Sequence, residues 1–197
     1  MATFVKSAQL AERIRRFAAA RLYPVISSEF CSGRAPQEIF AAAAAGGAKV
    51  IQIREKHWDK ARIAELVRAC RPVADRHGVL IIVDDYADVA RDAGADGVHI
   101  GQDDMSVAEV RAISPELLIG KSTHNLEELL AAQAEGTDYL NIGPIFATST
   151  KSVSYPPVGM EKLAGLIPQV KIPFSVMGGI KERHVKDLLA AGARRIA

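Results

Sequence analysis

Cysteine is scarce in this chain: two residues, Cys31 and Cys70, in 197. Their spacing suits no metal centre, and they read as reduced thiols rather than a bridge, which points to a reducing, cytoplasmic setting. Charge of one sign is also missing. The formal net charge is +2, and no segment is basic enough to follow a nucleic-acid backbone, so no nucleic-acid partner is expected. No apolar run approaches membrane-spanning length, so no membrane partner is expected. The opening MATFVKSAQLAERIRRF alternates charged and apolar residues at helical spacing and lacks the continuous apolar segment of a secretion signal. No Gly-x-Gly-x-x-Gly follows the first strand-like run, which argues against a dinucleotide site. No Ser-His-Asp or Cys-His order is visible, which sets nucleophilic catalysis aside. No linker or shift of composition divides the chain, so residues 1–197 read as a single domain, with residues 1–20 as an N-terminal helical extension.

What the chain does have is a rhythm. Hydrophobic residues make up 49%, enough for a large core. They fall in short runs: RLYPVIS (Arg21–Ser27), KVIQIRE, VLIIVDD (Val79–Asp85), DGVHIG (Asp96–Gly101), LLIGKST (Leu117–Thr123), DYLNIGPI (Asp138–Ile145) and IPFSVMGG (Ile172–Gly179), with a last one starting at RRIA. Helical stretches lie between them. APQEIFAAAAAGG closes at Gly46, NLEELLAAQAEGTD opens on Asn125 as a cap, and KERHVKDLLAAGA ends at Gly192. Apolar strands alternating with helices predict parallel β/α units. Seven strands and the start of an eighth predict an α/β fold, a (βα)8 TIM barrel, with an extra helix over roughly Lys6 to Ala20 covering its bottom. The eighth strand and a final helix read as incomplete, since the chain stops at Ala197.

The polar residues fall at strand ends. In KVIQIREK, period two puts Gln52, Arg54 and Lys56 on one face, opposite Ile51 and Ile53. Arg and Lys together suit a phosphorylated anion, and Gln52, one layer deeper, suits a neutral heterocycle. Asp84 and Asp85 end the third strand, and Asp103 and Asp104 follow the fourth. Capping is an alternative at this point, because Asp104 or Ser106 stands before VAEVRAI. Carboxylates on two adjacent strand ends opposite a cationic pair also suit Mg²⁺ shared with a substrate phosphate. The hydroxyl-rich loop GPIFATSTKSVSYPPVG, holding Lys151, reads as a lid. VMGGI offers glycine amides where barrels commonly bind phosphate. His99 reads as a core histidine, while His124 sits past a strand end at the mouth.

Taken in order, IQIREK, IIVDD, GADGVHIGQDD, IGKSTHNLEE, YLNIGPIFATSTK, PPVG and IPFSVMGGI resemble the thiamine-phosphate synthase family, from about Leu22 to Ala197. The resemblance implies a Mg²⁺-dependent transferase. It would join 4-amino-5-hydroxymethyl-2-methylpyrimidine diphosphate to a thiazole phosphate, releasing diphosphate. It implies that Gln52, Arg54 and Lys56 hold the pyrimidine diphosphate, that Asp85 and Asp104 bind Mg²⁺, and that Ser122 lies beside the pyrimidine. Thr148, Thr150 and Lys151 would contact the thiazole phosphate and diphosphate, and Gly179 would give an amide to the thiazole phosphate. Arg54, Lys56, Ser122 and Lys151 would carry the catalytic work. Asp84 stands at a substrate-binding position where the family usually has Asn, and a carboxylate there would repel diphosphate unless protonated, metal-bound or turned away. Alternatives are the related thiazole tautomerase, which would use His124, and a non-catalytic barrel that binds thiamine precursors. A homodimer in the cytoplasm is the expected state.

Overall fold

The computed structural model describes residues 6–148 and 156–197. Seven strands form one parallel sheet in chain order: β1 (Val25–Ile26), β2 (Val50–Ile53), β3 (Leu80–Asp84), β4 (Gly97–Ile100), β5 (Leu118–Thr123), β6 (Tyr139–Ile142) and β7 (Phe174–Val176). Every neighbour pair is parallel, with registers such as Gln52 opposite Ile82 and Asp84 opposite His99. Ile196 forms parallel bridges to Leu22 at one edge of the sheet and to Val176 at the other. The N–H of Tyr23 donates to the Ile196 carbonyl at 2.8 Å, and that of Ala197 to the Val176 carbonyl at 2.9 Å. The seven-stranded parallel sheet therefore curls like a barrel, and its two edges are bridged through Ile196.

Helices α1 (Ala8–Ala19), α2 (Pro36–Ala45), α3 (Lys60–His77), α4 (Ala87–Asp92), α5 (Val107–Ile113), α6 (Leu126–Ala134), α7 (Gly159–Leu166) and α8 (Glu182–Ala190) fill the connections. Their ends follow local chemistry. Ser7 accepts from the Leu10 N–H, Asp59 from Arg62 and Asn125 from Glu128. Before α5 the cap is Ser106, closed by a reciprocal bond with Glu109; Asp104 is left for other work.

Period two sorts the strand residues onto two faces. Ile51, Ile53, Ile81, Val83, Val98, Ile100 and Ile119 pack outward in one cluster with α2, α3, α4 and α5. Leu140, Ile142 and Val176 pack against α6, α7 and α8. The inward set, Val50, Leu80, Ile82, Leu118, Tyr139 and Tyr23, is apolar at the strand starts and is sealed from below by Leu10, Phe17 and Ala20 around α1. Full burial of Leu10 and Phe17 favours this docking by about 1.5–3 kcal/mol each. Above this layer the inward residues turn polar: Gln52, Asp84, His99 and Asn141, all buried.

The Tyr139 ring crosses the barrel over Phe17, centroids 3.9 Å apart. It fits because its register partner is Gly120, where an added Cβ would fall 1.9 Å from Tyr139 Cζ. Gly120→Ala is expected to lower stability by about 1–3 kcal/mol, read from the urea midpoint. An unchanged midpoint would mean that the ring has another place to go.

Candidate active site

The mouth is built outward from β2. Gln52 and Arg54 face inward because Ile51 and Ile53 take the outward positions. On neighbouring β3, Asp84 also faces inward, and its Oδ1 accepts from Gln52 Nε2 at 2.6 Å. A carboxylate can only accept, so the amide nitrogen must face it. Gln52 Oε1 is then a buried acceptor with no hydrogen-bond partner among the described residues. The Lys56 ammonium lies 2.8 Å from Asp84 Oδ2 and also reaches Asp85 Oδ2, while Arg54 Nε lies 3.6 Å from Asp84. The Lys56 contact to Asp84 Oδ2 is ionic and not a directed hydrogen bond. Burial alone would lower the Lys56 pKa, but the charge of Asp84 and contacts with both aspartates raise it above the ordinary lysine value.

Asp85 adopts a left-handed conformation, φ 64°, a sparsely populated region for a residue with a Cβ. Its N–H donates to the His99 carbonyl at 2.8 Å. That bend lets two consecutive residues both turn toward Lys56. Two residues beyond His99, the N–H of Gly101 donates to Asp104 Oδ2 at 2.6 Å. Asp85 and Asp104 are thus tied to His99 on β4 and to Gly101 just past its end, about 7 Å apart along the chain. No group of three or more His, Cys, Asp or Glu side chains suited to a metal is found among the described residues. Two hard oxygen donors at an open mouth still suit a cation that keeps water or substrate in its remaining positions.

On β5, Ser122 Oγ lies 2.9 Å from His99 Nε2, and its carbonyl accepts from the Gln102 amide. His99 therefore belongs to the core, as its sequence context predicts, and touches a mouth residue as well. His124 lines the mouth, with its Nδ1 2.6 Å from Glu128.

A cavity of about 310 Å³ opens here, and its walls include Arg54, Ser122, Asn141, Thr148, Gly179 and Lys181. Of the residues expected from sequence, Arg54, Ser122, Thr148 and Gly179 line it. Gln52, Lys56, Asp84, Asp85 and Asp104 are not among the lining residues; the first four form the adjoining charged cluster, and Asp104 is fixed at the end of β4. Thr150 and Lys151 lie outside the described residues. Gly178 and Gly179 have φ values of 95° and 64°; a Cβ on Gly179 would meet the Ala147 carbonyl at 2.4 Å, so the Gly-Gly turn lies flat against the loop after β6. Asn141, Phe30 and Lys181 escaped the sequence reading. For Lys181 a signal was present, a cation two residues after the double glycine.

A curled β/α sheet whose cavity gathers cations and small hydroxyl residues at the strand ends defines a barrel-like β/α protein with a small-molecule-sized site. The family model described as thiamine monophosphate synthase matches residues 22–197, and the chain belongs to that family. It is 44% identical over 177 residues to the thiamine-phosphate synthase of Chloroflexus aurantiacus, covering 90% of this chain and 82% of the relative. It is 38% identical over 187 residues to that of Caldicellulosiruptor saccharolyticus, covering 94% and 85%. The structure of thiamine phosphate pyrophosphorylase from Pyrococcus furiosus superposes with a TM-score of 0.83 at 33% identity, over 93% of this chain and 86% of that one. An N-acetylmannosamine-6-phosphate 2-epimerase from Clostridium perfringens, at 16% identity and a TM-score of 0.65, shares the fold alone.

A lysine whose pKa is raised by folding adds stability that is complete below its unfolded value, about 10.4, and is lost as pH rises through the folded one. Asp84 is the largest influence raising Lys56. Wild type is therefore expected to be more stable than Asp84→Asn at neutral pH, with the gap closing above about pH 10.5. Chemical denaturation of both proteins across pH 7–11.5 measures it. A gap that does not depend on pH would remove Lys56 as its source.

Proposed function

We propose that this chain is a thiamine-phosphate synthase, joining an aminopyrimidine methyl diphosphate to a thiazole phosphate. The observation that carries the reading is the joint placement of Arg54 and Lys56 against Asp84 and Asp85 beside a cavity lined by Ser122, Thr148 and Gly179. In the reaction the C–O bond between the pyrimidine methylene and diphosphate breaks, and its electron pair leaves with the diphosphate. The thiazole nitrogen lone pair forms the new C–N bond. No net proton transfer is needed, so the reaction asks for no dedicated base.

The burden is therefore charge. Arg54 lines the cavity and offers a planar fork for a diphosphate oxygen pair. Lys56, kept charged by its aspartates, adds a second cation, and Lys151 is assigned a third. Fixed cations in a cavity with little water favour the departing anion more than solvent would. Gln52, with its free carbonyl oxygen inward, would accept from an amino group on the heterocycle. Asp84 does not stand free toward the diphosphate; its charge is spent on Gln52, Lys56 and Arg54. Asp85 and Asp104 would hold Mg²⁺, which when bound supplies further positive charge for the diphosphate. The Gly178–Gly179 turn would give amides, and Lys181 a cation, to the second phosphate. A tautomerase reading draws on His124 and Glu128, but it leaves the Lys56–Asp85 pair without a task.

Supplying both substrates with Mg²⁺ is expected to release one diphosphate per thiamine phosphate formed; no release would overturn the reading. Arg54→Met should raise the KM for the pyrimidine diphosphate about tenfold to a hundredfold, as expected for a lost charge-assisted hydrogen bond. Asp85→Ala and Asp104→Ala should each reduce Mg²⁺-dependent turnover at least about tenfold. Normal Mg²⁺ dependence in both variants would remove the metal assignment while leaving the transfer reaction in place.

A further inference from the structure

A line of hydrogen bonds runs through the barrel from its bottom to the cavity. Tyr23 Oη lies 2.8 Å from Tyr139 Oη, Tyr139 Oη lies 3.1 Å from His99 Nδ1, and His99 Nε2 lies 2.9 Å from Ser122 Oγ. The three inner groups are buried, and only Ser122 reaches the cavity wall. Each bond has two conceivable directions. The far end decides between them.

Tyr139 is the only hydrogen-bond partner of the Tyr23 hydroxyl among the described residues. Phe17 packs on its ring, centroids 5.5 Å apart. The nearby Arg195 guanidinium is a donor only and takes no proton from a phenol. If the line ran from Ser122 toward Tyr23, the Tyr23 proton would have no acceptor. A buried donor left unmade disfavours that direction by roughly a factor of ten or more. If His99 were an imidazolium, Tyr139 would accept from both sides and its own proton would be stranded in the same way. One direction satisfies every inner proton: Tyr23 donates to Tyr139, Tyr139 to His99 Nδ1, and His99 Nε2–H to Ser122 Oγ. Burial raises the pKa of both phenols, so both keep the protons this direction requires.

We propose that Tyr23, Tyr139 and His99 are positioning residues that fix the proton of Ser122. They hold the serine oxygen as an acceptor and turn its O–H into the cavity as a donor. The site then takes a ligand presenting a lone pair at Ser122, such as a ring nitrogen of a neutral heterocycle, and discriminates against one presenting an N–H there. The ligand half rests on the pyrimidine site proposed above; the proton order stands by itself.

Two measurements test it. Nitrogen-15 NMR of the ligand-free wild type, with His99→Asn assigning its signal among the five histidines, should show His99 neutral with its proton on Nε2. A proton on Nδ1, or an imidazolium at neutral pH, overturns the proposal without touching the transfer reaction. The second compares wild type with Tyr23→Phe and with the double variant Tyr23→Phe/Tyr139→Phe, which keeps both rings and removes the donor to His99 Nδ1. In Tyr23→Phe the Tyr139 hydroxyl still has only His99 Nδ1 to donate to, so His99 should keep its proton on Nε2. In the double variant the His99 signal should show the Nδ1–H form as well. Affinity for the aminopyrimidine alcohol should then fall about tenfold, with the KM of the diphosphate following it and kcat changing less. An unmoved tautomer and unchanged affinity in a folded double variant would reduce the line to a packing feature and overturn the proposal.

Discussion

A carboxylate inside a barrel has to be neutralised from within the barrel, and at Asp84 that requirement organises the mouth. Burial of an unpaired charge is prohibitive, so Asp84 draws in the Gln52 amide, the Lys56 ammonium and the Arg54 guanidinium. Each of these serves a second purpose. Gln52 is left with a carbonyl oxygen that nothing among the described residues satisfies, Lys56 stays protonated, and Arg54 is steadied at the cavity wall. The pairing stabilises less than its short distances suggest, because desolvation takes back much of the attraction. What it provides is orientation, which a site for two phosphorylated substrates needs more than raw stability.

The barrel divides along its axis. At the bottom the inward residues are apolar, closed by α1 and by aromatic rings that Gly120 makes room for. Toward the top they become amides, hydroxyls, imidazole and charge. The strands are short, two to six residues, so each contributes only one to three inward positions. A single inward step from apolar packing to chemistry is the whole transition on β2, from Val50 to Gln52, and on β3, from Ile82 to Asp84.

That transition was readable in the sequence wherever it followed period two along a single strand. Gln52 and Arg54 opposite Ile51 and Ile53 needed no third dimension, and neither did the helix cap at Asn125. The curled parallel sheet followed from the alternation of runs, and the bridges at Ile196 join its edges. What the sequence left open depends on where one strand faces another. Whether Asp104 or Ser106 capped α5 was undecided, because both are good caps; the reciprocal bond with Glu109 decides for Ser106. Asp84 looked like a liability beside a diphosphate, because its partners Gln52 and Lys56 lie about thirty residues earlier. The contact between His99 and Tyr139 joins two strands that are not neighbours, across the barrel interior, which no local pattern encodes.

The underside of the barrel has a consequence of another kind. Arg195, its pKa lowered to about 10 by burial, donates to the Ala18 and Phe174 carbonyls and lies 4.5 Å over the Phe17 ring. It ties the end of α1 to residues 177 positions later in sequence. During synthesis α1 precedes this lock by 177 residues. Until Arg195 arrives, Leu10 and Phe17 present an apolar stripe with no finished floor to cover. A nascent chain of this design carries that stripe through the making of all seven strands, and closes it in a long-range step.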